Sequence, residues 1–141
     1  MKPNKFGIHI KTKDFDSSLN FYLKFGFQPI FAYGNDEYLK QFNDIGTAPE
    51  KYRGVTFEIG NALLELGEDH IAIKKEVFKE EVKSSKVSAM LDVDSLKEIR
   101  KICEENNFEI AKSEVTYSWG TKELVVRDPD GFILVFREFV K

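Results

Sequence analysis

The chain runs through the same plan twice, and this repetition limits its fold more than any other property of the sequence. In the first half, residues 6–12 alternate Ile8 and Ile10 with His9 and Lys11, as a half-buried strand does. The spacing predicts a helix next, with Asp16 or Ser17 as N-cap and Leu19, Tyr22, Leu23 and Phe25 at helical intervals. Gly26 is placed to stop that helix in a C′ position. Strands follow over 27–33, 55–59 and 62–66. The last two are joined by Gly60-Asn61, whose positive φ values suit a two-residue hairpin with the usual order reversed.

The second half repeats this order. Residues 87–91 read as a strand, and Asp94 or Ser95 caps a helix with Leu96, Ile99, Ile102 and Cys103 on one face. Asn106-Asn107 ends that helix, and strands follow over 108–117, 123–127 and 132–136. Gly26-Phe27-Gln28 and Asn107-Phe108-Glu109 occupy equivalent places. Each half is therefore β-α-β-β-β, which gives an α+β class. The expected layout is one domain over 1–141, with modules at 6–67 and 86–139 and a linker at 68–85 carrying a charged helix. Residues 35–53 fall outside the repeat as an insertion or long loop broken by Gly46-Thr47-Ala48-Pro49. In the linker, Lys74 to Lys83 is a charge run that reads as a solvated helix, with Val77 and Val82 touching the body. A lid is its alternative reading.

A chain of 141 residues buries enough surface to fold without a disulfide or metal. The single cysteine, Cys103, excludes a disulfide framework and reads as a packed helix residue in a reducing, cytoplasmic setting. With a net charge of −3 and no basic stripe, nucleic acid is not an expected partner. No apolar stretch of leader or membrane-spanning length is present, so no membrane is expected. Ser17-Ser18 and Ser84-Ser85 lack the His and Asp arrangement of an activated nucleophile, and no phosphate loop occurs.

The end of the chain is the most specific part. Asp128-Pro129-Asp130-Gly131 has the residues of a type I turn, between the apolar runs 124–126 and 132–136. Trp119-Gly120 precedes it by one short strand. This combination resembles the last hairpin of the vicinal oxygen chelate superfamily, which includes glyoxalase I, bleomycin-resistance proteins and extradiol dioxygenases. Asp14-Phe15-Asp16-Ser17-Ser18-Leu19-Asn20-Phe21-Tyr22 with Phe25-Gly26-Phe27 resembles that family's first strand-to-helix segment. Phe57 to Leu66 resembles the hairpin closing its first module. The resemblance implies two paired βαβββ modules with curved mixed sheets around a cleft, and a homodimer.

It also implies four metal-holding side chains, one on each of four strands, with His nitrogens and carboxylate oxygens converging and open positions left for substrate. At those positions this sequence has Gly7, Glu65, Ser85 or Lys86, and Val135, so one ligand type of four is kept. His9 lies two residues beyond Gly7, about 6–7 Å along the strand on the same face. Glu138 falls three residues beyond Val135 on the opposite face. His70 reads as a solvent-facing linker residue. The expected protein therefore lacks a complete metal site, carries no cofactor and is nearest to the metal-free bleomycin-resistance branch, which binds a drug in aromatic-lined clefts. The candidate ligand-binding residues are His9, Tyr33, Phe57, Glu65, Tyr117 and Trp119, around a small organic molecule. A metal-dependent lyase, isomerase or dioxygenase with shifted ligands is the alternative. Glu65 with His9 could also serve as a metal-free acid–base pair.

Overall fold

The computed structural model describes residues 1–83 and 86–141, which fall into two compact units, Met1–Glu80 and Glu81–Lys141. Ser84 and Ser85, one of them a position tested above for a metal ligand, lie outside the described residues. Among the described residues, no helix is long and apolar enough to cross a membrane.

The first unit comprises β1 (Phe6–Lys11), α1 (Phe15–Lys24), β2 (Gln28–Gly34), α2 (Asp36–Leu39), β3 (Gly46–Pro49), β4 (Gly54–Ile59) and β5 (Ala62–Gly67). Its strands form a mixed sheet in the order β1-β5-β4-β2-β3. The helix begins two residues earlier than its sequence suggests. Asp14 is the N-cap, accepting from Ser17 N at 3.2 Å and Ser17 Oγ at 2.7 Å. Asp16 therefore sits inside the first turn, where the helix dipole favours it. At the other end Gly26 adopts φ 80°, and Gly26 N and Phe27 N donate to the carbonyls of Leu23 and Tyr22. That is a Schellman closure. Phe15, Leu19, Phe21 and Tyr22 are buried, whereas Leu23 is exposed.

Strand alternation divides the sheet into two faces. Ile10, Ala32, Val55, Phe57, Leu64 and Leu66 are buried on the α1 side, where the Tyr22 and Phe57 rings lie 6.1 Å apart. Each of these Ile, Val, Phe and Leu side chains contributes about 1.5–3 kcal/mol by leaving water. The residues between them face the other way.

Three sequence expectations change in this unit. The segment 35–53 is not a simple loop, because Asn35 caps α2 and β3 extends the sheet parallel to β2. In the β4–β5 turn only Gly60 has positive φ, at 55°, while Asn61 does not. The charged run forms no full helix, only a 3-10 turn over Lys75–Lys79 that buries Phe78 rather than Val77 or Val82. With a single apolar anchor and so few residues, nothing offsets the cost of nucleating a longer helix.

The second unit comprises β6 (Ser88–Asp92), α3 (Leu96–Asn106), β7 (Glu109–Thr116), β8 (Thr121–Arg127) and β9 (Ile133–Phe139), with sheet order β6-β9-β8-β7. Ser95 caps α3 by accepting from Glu98 N, and Asn107 ends it in the left-handed region at φ 56°. Leu96, Ile99 and Cys103 are buried on α3, which packs on β8 and β9, whose Leu124, Val126, Leu134 and Phe136 are also buried. Burial pushes the Cys103 thiol up to about 11, so it is a packed side chain and not a nucleophile. The Asp-Pro-Asp-Gly turn forms as its residues demand. Gly131 N donates to Asp128 O at 2.9 Å, and Gly131 takes φ 88°. The buried Asp128 carboxylate accepts from Asp130 N and Phe132 N at 2.9 and 2.8 Å.

Candidate functional site

The sheet face turned away from α1 carries the chemistry of the first unit. Register places His9 on β1 opposite Glu65 on β5, and Glu65 opposite Thr56 on β4. Tyr33 on β2 pairs with Gly54, and Gly54 pairs with Gly67. Neither glycine occupies the space above its strand. A Cβ built at Gly54 would lie 1.9 Å from Tyr33 Cζ, so the Tyr33 ring rests directly on that backbone. One built at Gly67 would lie 3.0 Å from His9 Nε2 and 3.3 Å from the Tyr33 hydroxyl. The two side chains therefore converge over bare backbone.

Their polar atoms meet at Glu65. Tyr33 donates its hydroxyl hydrogen to Glu65 Oε1 at 2.8 Å. His9 Nε2 lies 3.8 Å from the same oxygen, too far for a hydrogen bond. This nitrogen is buried and has no hydrogen-bond partner. The Glu65 side chain is 36% exposed and the His9 side chain 26% exposed, so the cluster is open on one side. Burial holds His9 below the usual histidine range, with Lys11 and His70 acting in the same direction and Glu65 opposing them. Burial also raises the Tyr33 hydroxyl, and the bond to Glu65 adds to this. At neutral pH the His9 imidazole and the Tyr33 phenol are thus both uncharged.

Two further residues frame it. The Tyr52 ring stands perpendicular to that of Tyr33 at 5.9 Å, and the His70 ring lies 6.0 Å from that of His9. His70 is half buried, and its Nδ1 accepts from Ala72 N at 3.0 Å. This corrects its reading as a solvent-facing residue. Tyr52 and His70 both line an open cleft of about 670 Å³. Sequence patterning does not single out Tyr52. The glycines at 54 and 67 were the available signal, since a glycine inside a strand marks close approach by another group.

Among the other candidates, Phe57 does not join the cluster. It is 0% exposed and packs among Tyr22 and Phe27, because its parity on β4 turns it to the helix side. Tyr117 and Trp119 belong to the second unit. Their rings stack at 4.3 Å with an interplanar angle of 9°. The β7–β8 turn holds them there, through Tyr117 N to Thr121 O and Gly120 N to Tyr117 O. Trp119 is 65% exposed, and its indole N–H reaches Glu123 at 3.5 Å.

The residues present do not fit the four-ligand metal of the resemblance. Among the described residues no group of three His, Cys, Asp or Glu could hold a metal ion. A Cβ at Gly7 would already press on Leu63 at 3.2 Å. Val135 on β9 pairs with Met90 and Val125, two apolar neighbours. Glu138 is committed elsewhere, accepting from Leu96 N at 2.7 Å at the start of α3.

A second cleft of about 420 Å³ in the first unit is lined partly by Asp16, Arg53 and Glu68. Arg53 donates to Glu68 and Asp16 at 2.8–3.1 Å and lies 4.8 Å over the Phe15 ring. These charges satisfy one another and tie α1 to the residues just before β4 and just after β5.

Comparison with known proteins gives a consistent result. A family model described as Glyoxalase/Bleomycin resistance protein/Dioxygenase superfamily matches residues 7–136. A search of curated proteins finds no match. A glyoxalase/bleomycin resistance protein/dioxygenase from Nocardioides is similar in structure, with TM-score 0.65 and 15% identity over 100% of this chain and 86% of that one. A glyoxalase I mutant from Zea mays has TM-score 0.70 and 14% identity, over 98% of this chain and 46% of that one. A glyoxalase family protein from Enterococcus faecalis has TM-score 0.59 and 17% identity over 97% of each chain.

Proposed function

The chain belongs to the Glyoxalase/Bleomycin resistance protein/Dioxygenase superfamily, and we propose that it binds a small organic molecule in an aromatic-lined cleft without a complete metal site. The observation that carries this reading is the Tyr33–Glu65–His9 cluster, open on one side and framed by Tyr52 and His70, which also line a cleft of ligand size. On the second unit, taken by itself, Tyr117 and Trp119 form an exposed stacked platform that is a separate candidate ligand surface. The protein would act as a cytoplasmic homodimer, with neither nucleic acid nor membrane as partner.

A ligand-library thermal shift tests this reading, with and without Ni²⁺, Zn²⁺, Mn²⁺ and EDTA. Stabilisation by organic ligands that is indifferent to EDTA is the expected result. Stoichiometric metal after purification, or a large EDTA-sensitive stabilisation, would sink it. The second reading is a metal-dependent lyase, isomerase or dioxygenase with His9, Glu65 and His70 as shifted ligands, which as placed do not form a metal-holding group and would have to move together. It draws on the unpartnered His9 Nε2 and the approach of the two imidazoles. Turnover of a hemithioacetal or catechol that is lost in Glu65→Ala would establish it instead.

A further inference from the structure

We infer that residues 71–77 form a lid, which closes over a molecule seated against Tyr52 and His70 and sets Ile71 and Ile73 on its apolar body. This rests on the ligand-binding reading above and deepens it, since the occupant of that cleft is enclosed by a moving segment of the chain.

The segment is held at its two ends and only loosely between them. At one end His70 is half buried, its backbone N–H bonded to the Asp69 carboxylate at 2.8 Å and its Nδ1 accepting from Ala72 N at 3.0 Å. At the other end Phe78 is 4% exposed, and it is the one buried residue from Ile71 to Glu80. Among the described residues, the backbone bonds of this segment stay within it. They run from Ile73 N to His70 O, Val77 N to Lys74 O and Glu80 N to Val77 O, at 3.1–3.3 Å. The 3-10 turn has no side-chain cap, and turns of this kind are weakly bonded. No backbone bond ties residues 71–77 to a strand, so they can move while the sheet stays whole.

The cleft side of the segment is apolar. Ile71 and Ile73 line the same cleft as Tyr52 and His70, yet Ile71 is 92% exposed. That side chain leaves water only when an apolar body fills the cleft beside it, and its burial then draws the segment inward. Lys74 and Lys75 are exposed on the same stretch and keep their ammonium groups in water in either position. One ion pair opposes the movement, between Lys75 and Asp69 at 3.6 Å, and the Lys75 side chain is 80% exposed. Such surface pairs hold weakly. Closure of a short segment over a bound molecule also excludes water from it.

The test fills the cleft by a tether rather than by affinity. Tyr52→Cys in the full chain is alkylated with monobromobimane, or capped with methyl methanethiosulfonate as the small control. Amide hydrogen exchange is then read for residues 71–77. Cys103 is buried and its thiol is pushed up to about 11, so the introduced cysteine takes the label. Bimane should slow exchange at 71–77 at least fivefold relative to the small cap, with β5 unchanged. Ile71→Ser should remove most of that slowing, and Phe78→Ala should speed exchange across 71–80 under either label. Lys51→Cys, exposed on the same cleft wall, gives a second attachment point should Tyr52→Cys fold poorly. Equal exchange under the two labels, slowing that survives Ile71→Ser, or a Phe78→Ala chain that exchanges like its parent overturns the lid. If ligands bind in the library screen but the tethered bimane leaves 71–77 unprotected, the lid alone falls. If the screen finds no ligand, the ligand-binding reading falls whatever the tethered group does.

Discussion

Tyr33 reaches Glu65 across an intervening strand: its hydroxyl lies 2.8 Å from Glu65 Oε1, although β4 separates β2 from β5. The path runs over Gly54, whose missing side chain leaves the ring nowhere else to be opposed. The two residues should therefore be energetically coupled. Tyr33→Phe leaves a half-buried carboxylate oxygen without its donor and should cost about 1–3 kcal/mol in urea unfolding. In a double-mutant cycle with Glu65→Gln the two losses should be clearly less than additive. Additive effects would show that the bond contributes nothing.

Gly54→Ala should be worse than its size suggests. The new methyl would stand 1.9 Å from Tyr33 Cζ, so the ring must leave its seat or the strands must part. Overpacking of this kind costs about 1–3 kcal/mol. A lowered melting temperature, together with loss of ligand-induced stabilisation, is the expected result. Gly60→Ala, with open space around it, should show strain from its positive φ but leave ligand binding intact.

His9 should make stability fall on the acid side. Its folded value is depressed by burial, so the unfolded chain binds the proton more readily. The contribution is complete above the ordinary histidine value near 6.5 and is lost as pH falls from there through the lower folded value. The drop in melting temperature between pH 7.5 and pH 5 should be smaller in His9→Gln than in the parent.

Phe57 and Trp119 should behave in opposite ways. Phe57→Ala empties a fully buried position and should cost about 3–5 kcal/mol. Trp119→Ala removes an exposed ring and should change stability by about 1 kcal/mol or less, while reducing affinity for ligands found in the library screen. Since Trp119 is the only tryptophan, its emission reports such binding directly. Unchanged emission and affinity would remove it from the ligand surface.

Asp128→Ala should destabilise the last hairpin without touching the first unit. It deprives Asp130 N and Phe132 N of their buried acceptor, at about 1–3 kcal/mol for each group left unpaired. Native-state hydrogen exchange should show faster opening at Phe132, with β1 and β5 unchanged.

Local chemistry was legible in the sequence wherever one or two neighbouring residues decide the outcome. The repeated strand–helix order, the Schellman glycine at 26, the Asn107 terminator and the Asp-Pro-Asp-Gly turn all depend on residues within a few positions of one another. The family followed from those same segments. The N-cap was misplaced by two residues because Asp14 and Asp16 are both good caps, and only the side-chain reach to Ser17 N chooses between them. The long charge run misled for the opposite reason: helical pairs of charges are weak, and what mattered was Phe78 finding an apolar surface.

The sequence by itself determined the class of fold, the family, and which metal-ligand positions carry no ligating side chain, because these are properties of residue identity and local spacing. Tertiary structure decided what became of the remaining polar groups. Register across four strands brought His9, Glu65 and Tyr33 to one face, and strand parity sent Phe57 to the other. Two paired glycines opened the floor beneath them, Tyr52 and His70 came alongside from the loops, and Glu138 was drawn to the start of α3. Those outcomes depend on pairings between residues up to 56 positions apart, as between His9 and Glu65. Hydrogen bonding and burial select such pairings only after the sheet has formed.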